Sequence, residues 1–275
     1  MAIITLTTDY GNKDYFVSSL KAKLISNIDN LDVIDISHNV SPFNLAEAGY
    51  ILEGAFNEFP KGTIHILSVD SELTPENKHI VINHNGSYFI GADNGVFSLI
   101  FKDKKPDKVF EINLHNSFNY KISTDDLFVK VAAHINRLGP LNIVGTEINT
   151  IKEVTNLRPV INKEKNQIIG SVIYIDNYGN VVTNITEKIF KEVSKTRPFI
   201  INARNVKFSK IHRNYSDAID FNKKKTDREE DGKKVALFNN LGYLELSIYK
   251  SNPATVGSAS TLFGLNYRDV VSIHF

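Results

Sequence analysis

Cysteine is absent from this chain of 275 residues. With it go disulfides, thiolate zinc sites, iron–sulfur clusters and a thiol nucleophile. The absence suits a reducing compartment, and a cytoplasmic location is the expectation. Charge of one sign is lacking too: 32 Lys plus Arg nearly cancel 31 Asp plus Glu. Without a basic footprint for phosphate backbones, no nucleic-acid partner is expected. No apolar run approaches the roughly 20 residues that a membrane-spanning helix needs, so no membrane partner is expected either. The first residues, Met1 to Asp9, read as a buried strand and not as a signal peptide, having no basic region before a short apolar run. No G-x-G-x-x-G turn follows that strand, and a Walker lysine loop and a G-x-S-x-G elbow are missing. The eight histidines show neither H-x-H nor H-E-x-x-H spacing, so neither a metal nor a cofactor is expected.

What is present is an ordinary globular composition, 42% hydrophobic and 23% charged, in a chain long enough for two domains. The first half alternates strand and helix patterns. Apolar runs at Ile3–Thr8, Val33–Ile36 and Ile64–Val69 are separated by helical stretches at Tyr15–Ile25 and Asn44–Phe59. Asn44 suits the N-cap of the second helix, with Glu47 three residues on. Asn85-Gly86 between Ile80–His84 and Ser87–Ile90 marks a hairpin. Asp93-Asn94-Gly95 opens a short helix, and Leu127–Leu138 is a further helix, capped by Asp125 or Asp126. This pacing predicts an α/β N-terminal domain, residues 1–150, around a central, mainly parallel sheet. Residues 151–166 read as a linker. Short strands then dominate, predicting a smaller β-barrel-like C-terminal domain over 167–275. Lys210 to Lys234, crowded with both charge signs, reads as a solvated loop with mobile portions.

In an open parallel sheet, ligands bind beyond the carboxyl ends of the strands. Here Asp9, Ser37-His38 and Asp70 follow the first three strands. Two such carboxylates can accept hydrogen bonds from a sugar diol, polarise a water or hold a cation. Alternatively, they only satisfy loop amides or cap helices. In the second domain, the turn Asp176-Asn177-Tyr178-Gly179-Asn180 sits between two strands. It is an adequate hairpin connection. It also gathers an acid, an aromatic face that can stack on a purine, and an amide that can read a purine edge.

At these residues the chain resembles the S-adenosylmethionine hydroxide adenosyltransferases, relatives of the fluorinase and chlorinase that attack the same substrate with halide. Thr8-Asp9-Tyr10-Gly11 is similar to the family's T-D-F-G element, and Asp35-Ile36-Ser37-His38 with Pro42-Phe43 to its D-x-x-H segment. Phe59 to His65, Asp93-Asn94-Gly95, Asp176 to Ile185 and Gly242-Tyr243-Leu244-Glu245 match further elements in order. The resemblance implies a homotrimer that binds S-adenosylmethionine (SAM) or adenosine between the N-terminal domain of one subunit and the C-terminal domain of its neighbour. It implies that Asp9 holds the ribose hydroxyls and Phe43 walls the pocket near the sulfonium. Asn180 would read the adenine with Tyr178 packed nearby, Asp176 would take the methionine ammonium, and Asn240 would lie near the methionine carboxylate.

The chain departs from the family at its catalytic triad. The aspartate is kept as Asp70, but the arginine falls on Asn77, and a histidine and a second arginine fall on Ser123 and Asp125. Lys78 and His79 are the neighbouring candidates to compensate. The implied activity is hydrolysis of SAM at the ribose C5′, giving adenosine and L-methionine, with Asp70 as the remaining catalytic group. The alternative is a non-catalytic SAM or adenosine binder. A halogenase is disfavoured, because a carboxylate at position 70 repels a buried halide.

Overall fold

The computed structural model describes residues 2–102, 104–114, 122–154, 158–228 and 230–275. The chain divides into two compact units, Met1–Val154 and Thr155–Phe275.

In the first unit the elements run β1 (Ala2–Thr8), α1 (Phe16–Asn27), β2 (Leu31–Ser37), α2 (Leu45–Phe56), β3 (Ile64–Ser68), β4 (His79–His84), β5 (Ser87–Ala92), α3 (Val96–Phe101), β6 (Lys108–Ile112), α4 (Thr124–Asn136) and β7 (Gly145–Ile148). The seven strands form one sheet in the order β2-β1-β3-β5-β4-β6-β7. Pairing is parallel from β2 to β5 and antiparallel beyond, so β6, twice reversed through β4, rejoins the common direction. The sheet is therefore mainly parallel, as the alternating pattern predicts. Strand side chains alternate between two cores. Ile4, Leu6, Ile66 and Val81 pack with Leu20 and Leu24 of α1 and Leu127, Phe128 and Val131 of α4. Leu67, Ile80, Ile82 and Phe89 pack with Leu52 and Phe56 of α2 and Phe97 and Ile100 of α3. Period-two alternation thus leaves helices on both faces.

The N-cap of α2 forms as expected: Asn44 Oδ1 accepts from Glu47 N at 3.2 Å, while Asn44 Nδ2 donates to Glu47 Oε2 at 3.1 Å. The cap of α4 is a correction. Ser123, not Asp125 or Asp126, is the N-cap, its Oγ accepting from Asp126 N at 3.2 Å. Both aspartates then occupy the first turn, where the helix dipole favours acids.

The second unit contains β8 (Val160–Ile161), β9 (Gln167–Ile175), β10 (Val181–Thr186), α5 (Glu187–Ser194), β11 (Ile200–Ala203), β12 (Val206–Phe208), β13 (Lys234–Phe238), β14 (Tyr243–Ile248), α6 (Ala259–Phe263) and β15 (Val270–His274). They form an antiparallel, nearly closed, barrel-like sheet in the order β12-β11-β15-β9-β10-β14-β13, with β8 added on β9. Val172, Val181, Leu244, Leu246, Val271 and Ile273 fill its core. Within the stretch read as a linker, 160–161 are a strand of this sheet, and 155–157 lie outside the described residues. The segment 210–234 is fastened rather than loose at its start: His212 N donates to Ala236 O at 2.8 Å, and Tyr215 Oη donates to the buried Glu245 at 2.6 Å. Among the described residues, no helix is long and apolar enough to cross a membrane.

Candidate active site

The strand ends of the first unit gather the expected acids. Thr8 and Ser68 are partners across β1 and β3, so Asp9 and Asp70 follow from neighbouring strands. Asp9 Oδ2 accepts from Phe43 N at 2.9 Å. Phe43 achieves this at φ 62°, a left-handed conformation uncommon for a bulky residue, and the residue stays 72% exposed. Asp9 and Phe43 are therefore brought together, with the second Asp9 oxygen accepting from none of the described residues. The loop is braced from β2: Thr8 Oγ1 bonds His38 Nδ1 at 2.9 Å, His38 Nε2 lies 3.0 Å from Asp35 Oδ1, and Gly11 N donates to His38 O at 2.7 Å.

Asp70 also adopts a left-handed backbone, at φ 46°. The buried amide of Asn94 holds it there, Nδ2 donating to Val69 O and Asp70 O, both at 3.0 Å, while its Oδ1 accepts from Val96 N at 3.2 Å. The Asp70 carboxylate has no hydrogen-bond or ion-pair partner among the described residues. Beside it, Ser71 Oγ lies 2.8 Å from Ser68 Oγ, which lies 2.8 Å from Tyr10 Oη, and Tyr10 donates to Asp125 Oδ1 at 2.7 Å. Burial, followed by the negative charge of Asp125, raises the Tyr10 pKa well above its usual range. The pKa of Asp125 is raised as well: burial outweighs the Tyr10 hydrogen bond and the nearby Lys23.

The positions that depart from the family are otherwise occupied. Asn77 Oδ1 accepts from Lys152 Nζ at 2.9 Å, and Ser123 serves as the helix cap. The His79 ring is buried, with Nε2 at 2.8 Å from Ser71 O, and so braces the Ser71 backbone. No group of three or more His, Asp or Glu among the described residues could hold a metal ion.

In the second unit, Asp176 organises its own turn. Its Oδ1 accepts from Tyr178 N at 2.9 Å and Asn180 N at 2.8 Å, and its Oδ2 accepts from Asn180 Nδ2 at 2.9 Å. Asn180 is buried and Tyr178 stands 66% exposed. Asn240 is exposed on the turn before β14. Its neighbour Asn239 closes that turn through Oδ1, which accepts from Leu241 N at 3.1 Å and Tyr243 N at 3.2 Å.

Two family models match in sequence order and span most of the chain: the SAM hydroxide adenosyltransferase N-terminal domain over residues 4–145 and the C-terminal domain of the same family over 170–272. This chain belongs to the SAM hydroxide adenosyltransferase family. It is 29% identical to an (R)-S-adenosyl-L-methionine hydrolase of Methanocaldococcus jannaschii over 98% of this chain and 95% of that protein. A protein of the same name from Thermus thermophilus is 24% identical over 67% of this chain and 75% of its own length. Among solved structures, an uncharacterized conserved protein from Thermotoga maritima matches with a TM-score of 0.79 at 26% identity, covering 99% of this chain and all of that one. Against this family background, sequence reading overlooks the Tyr10, Ser68, Ser71 and Asp125 network. The adjacency of Tyr10 to Asp9 and of Ser71 to Asp70 is the one signal that could have found it, since Tyr10 and Asp125 are separated by 115 positions.

Proposed function

We propose that the protein hydrolyses SAM at the ribose C5′, releasing adenosine and L-methionine. The observation that carries this reading is the Asp70 carboxylate, without a partner among the described residues and set on a backbone that Asn94 clamps. In the proposed site, Asp9 accepts from the ribose hydroxyls, Phe43 lies against the sulfonium end, Asn180 and Tyr178 face the adenine, and Asp176 presents a fixed negative charge to the methionine ammonium. Asn240 lies by the methionine carboxylate. The site is shared between subunits of a cytoplasmic homotrimer and needs no cofactor. A sulfonium leaves as a neutral thioether, so the protein's task is to align water at about 3–3.5 Å from C5′, opposite sulfur, and to draw on its proton. Asp70 accepts a hydrogen bond from that water and orients it.

One observation favours a second reading, a SAM or adenosine binder without turnover. Asn77 and Ser123, where the family triad has Arg and His, are engaged by Lys152 and by helix capping. Incubation with SAM and chromatography for adenosine and methionine separates the two. Turnover that falls by about 10²–10⁴-fold in Asp70→Asn supports hydrolysis. Thermal stabilisation by SAM without product supports the binder, and neither signal sinks both.

A further inference from the structure

We infer that the hydroxyls of Ser71, Ser68 and Tyr10 form a one-way proton relay from the reacting water to the carboxylate of Asp125. The inference rests on the hydrolase reading and supplies what the departed family residues leave missing, a destination for the proton. Its direction follows from counting hydrogens. Tyr10 has one hydroxyl proton and donates it to Asp125 Oδ1 at 2.7 Å. Tyr10 Oη must then accept at its 2.8 Å contact with Ser68, so Ser68 donates there. Ser68 has no second proton, so at its 2.8 Å contact with Ser71 it accepts, and Ser71 donates. The oxygen of Ser71 is left as an acceptor, one residue from Asp70. His79 and Thr124 both reach the Ser71 carbonyl, at 2.8 and 3.5 Å, which fixes the residue's backbone.

The proposed step balances. One water O–H bond breaks as its oxygen bonds to C5′. The C5′–S bond breaks with its electron pair going to sulfur, which becomes the neutral thioether of methionine. The water proton passes to Ser71, the Ser71 proton to Ser68, the Ser68 proton to Tyr10 and the Tyr10 proton to Asp125. Three neutral hydroxyls are restored and one carboxylic acid forms. A positive sulfonium and a negative Asp125 have become two neutral groups, so no charge is stranded in the partly buried network. Among the described residues, the charged groups around the acceptor are Lys23 of α1, which pairs with Asp126 at 2.9 Å, Asp126 itself on α4, and Asp9 beside Tyr10.

Ser71 touches the water; Tyr10 and Asp125 act through it and are positioning residues. The test compares kcat, KM for SAM and the pH profile of the wild type with those of Tyr10→Phe, Asp125→Asn, Ser71→Ala and Ser71→Thr. With the relay, Tyr10→Phe, Asp125→Asn and Ser71→Ala each lose about 10–10²-fold in kcat at nearly unchanged KM. Tyr10→Phe combined with Asp125→Asn is no worse than either alone, because the chain works as a unit. The wild-type loss of kcat on acidification, as Asp125 takes up its proton, disappears in both. Ser71→Thr, which keeps the hydroxyl, retains most of the rate. Wild-type kcat and pH profile in folded Tyr10→Phe would overturn the relay and leave the hydrolase reading standing. Should Tyr10→Phe or Asp125→Asn fail to fold, the Ser71→Ala and Ser71→Thr pair decides: equal rates overturn the relay. No turnover by the wild type overturns the hydrolase reading, and the relay with it.

Discussion

His65 sits fully buried in β3, its Nδ1 2.7 Å from Thr5 Oγ1 and its ring stacked on Phe89 with centroids 4.8 Å apart. Among the described residues no acid compensates a charge there, and burial lowers its pKa to about 4. In the unfolded chain its pKa is about 6.5. Between those two values the unfolded state binds a proton that the native state refuses. Stability is therefore fully present above about pH 6.5 and is lost as pH falls toward about 4, by something on the order of 3 kcal/mol. His84, also lowered mainly by burial, adds to the same slope. Thermal melts between about pH 7 and pH 4.5 are expected to fall steadily for the wild type and less steeply for His65→Gln. Identical slopes for the two proteins would refute the assignment. Asn94 holds the Asp70 backbone in place. Its amide satisfies two carbonyls and one N–H around Asp70, so Asn94→Ala leaves buried groups unmatched, at a cost of about 1–3 kcal/mol. A lower melting temperature together with a drop in SAM turnover is expected, since the left-handed Asp70 loses its brace. Unchanged turnover would show that the brace has no part in the site.

The Asp176 turn and α6 form one element, and Gly179 is the point where they meet. Gly179 has φ 74°, and a Cβ there would overlap the side chain of the fully buried Ser258, the N-cap of α6. Its carbonyl also accepts from Ser260 N at 2.9 Å. Gly179→Ala is expected to destabilise by about 1–3 kcal/mol, through backbone strain and overpacking together. Hydrogen exchange reads this as faster amides across both the turn and α6, and protection unchanged in α6 would refute the coupling. How legible each element is follows from the range of the forces that shape it. The α2 helix can be read because its cap and apolar stripe lie within one stretch. The β4–β5 hairpin can be read because Asn85-Gly86 both take positive φ, at 53° and 83°. By contrast β7, β8 and β12 are only two to four residues long, none with more than one buried residue to set a rhythm, and β7 pairs with β6 more than 30 positions away. The α4 cap is ambiguous from sequence because Ser123, Asp125 and Asp126 are all competent. In the site, the acids are legible because they follow apolar runs. Their partners are not: Phe43 meets Asp9 through a backbone amide 34 positions away, a contact no local pattern encodes.

At the scale of the whole molecule, the functional proposal makes a demand that no single chain can satisfy. If Asp9 of one subunit and Asn180 of its neighbour act on the same nucleoside, two crippled chains must be able to repair each other. Asp9→Asn damages the half-site of the first unit, and Asn180→Ala that of the second. Each variant alone is expected to be inactive toward SAM. Closed cyclic assembly makes every interface equivalent, so in mixed trimers each site draws its two halves independently. With equal amounts co-expressed, about a quarter of the sites combine an intact first unit with an intact second unit, and about a quarter of wild-type turnover returns. Because Asn180 is buried and shapes its own turn, the exposed Tyr178→Ala serves as a gentler partner in the same experiment. Recovery must require co-assembly: mixing the finished, separately purified proteins restores activity only as fast as subunits exchange. A site formed within one chain predicts the opposite, since no amount of mixing gives a chain carrying Asp9→Asn back its carboxylate. Light scattering that returns the mass of one chain, with full activity, would leave no neighbour to contribute and would sink the shared site.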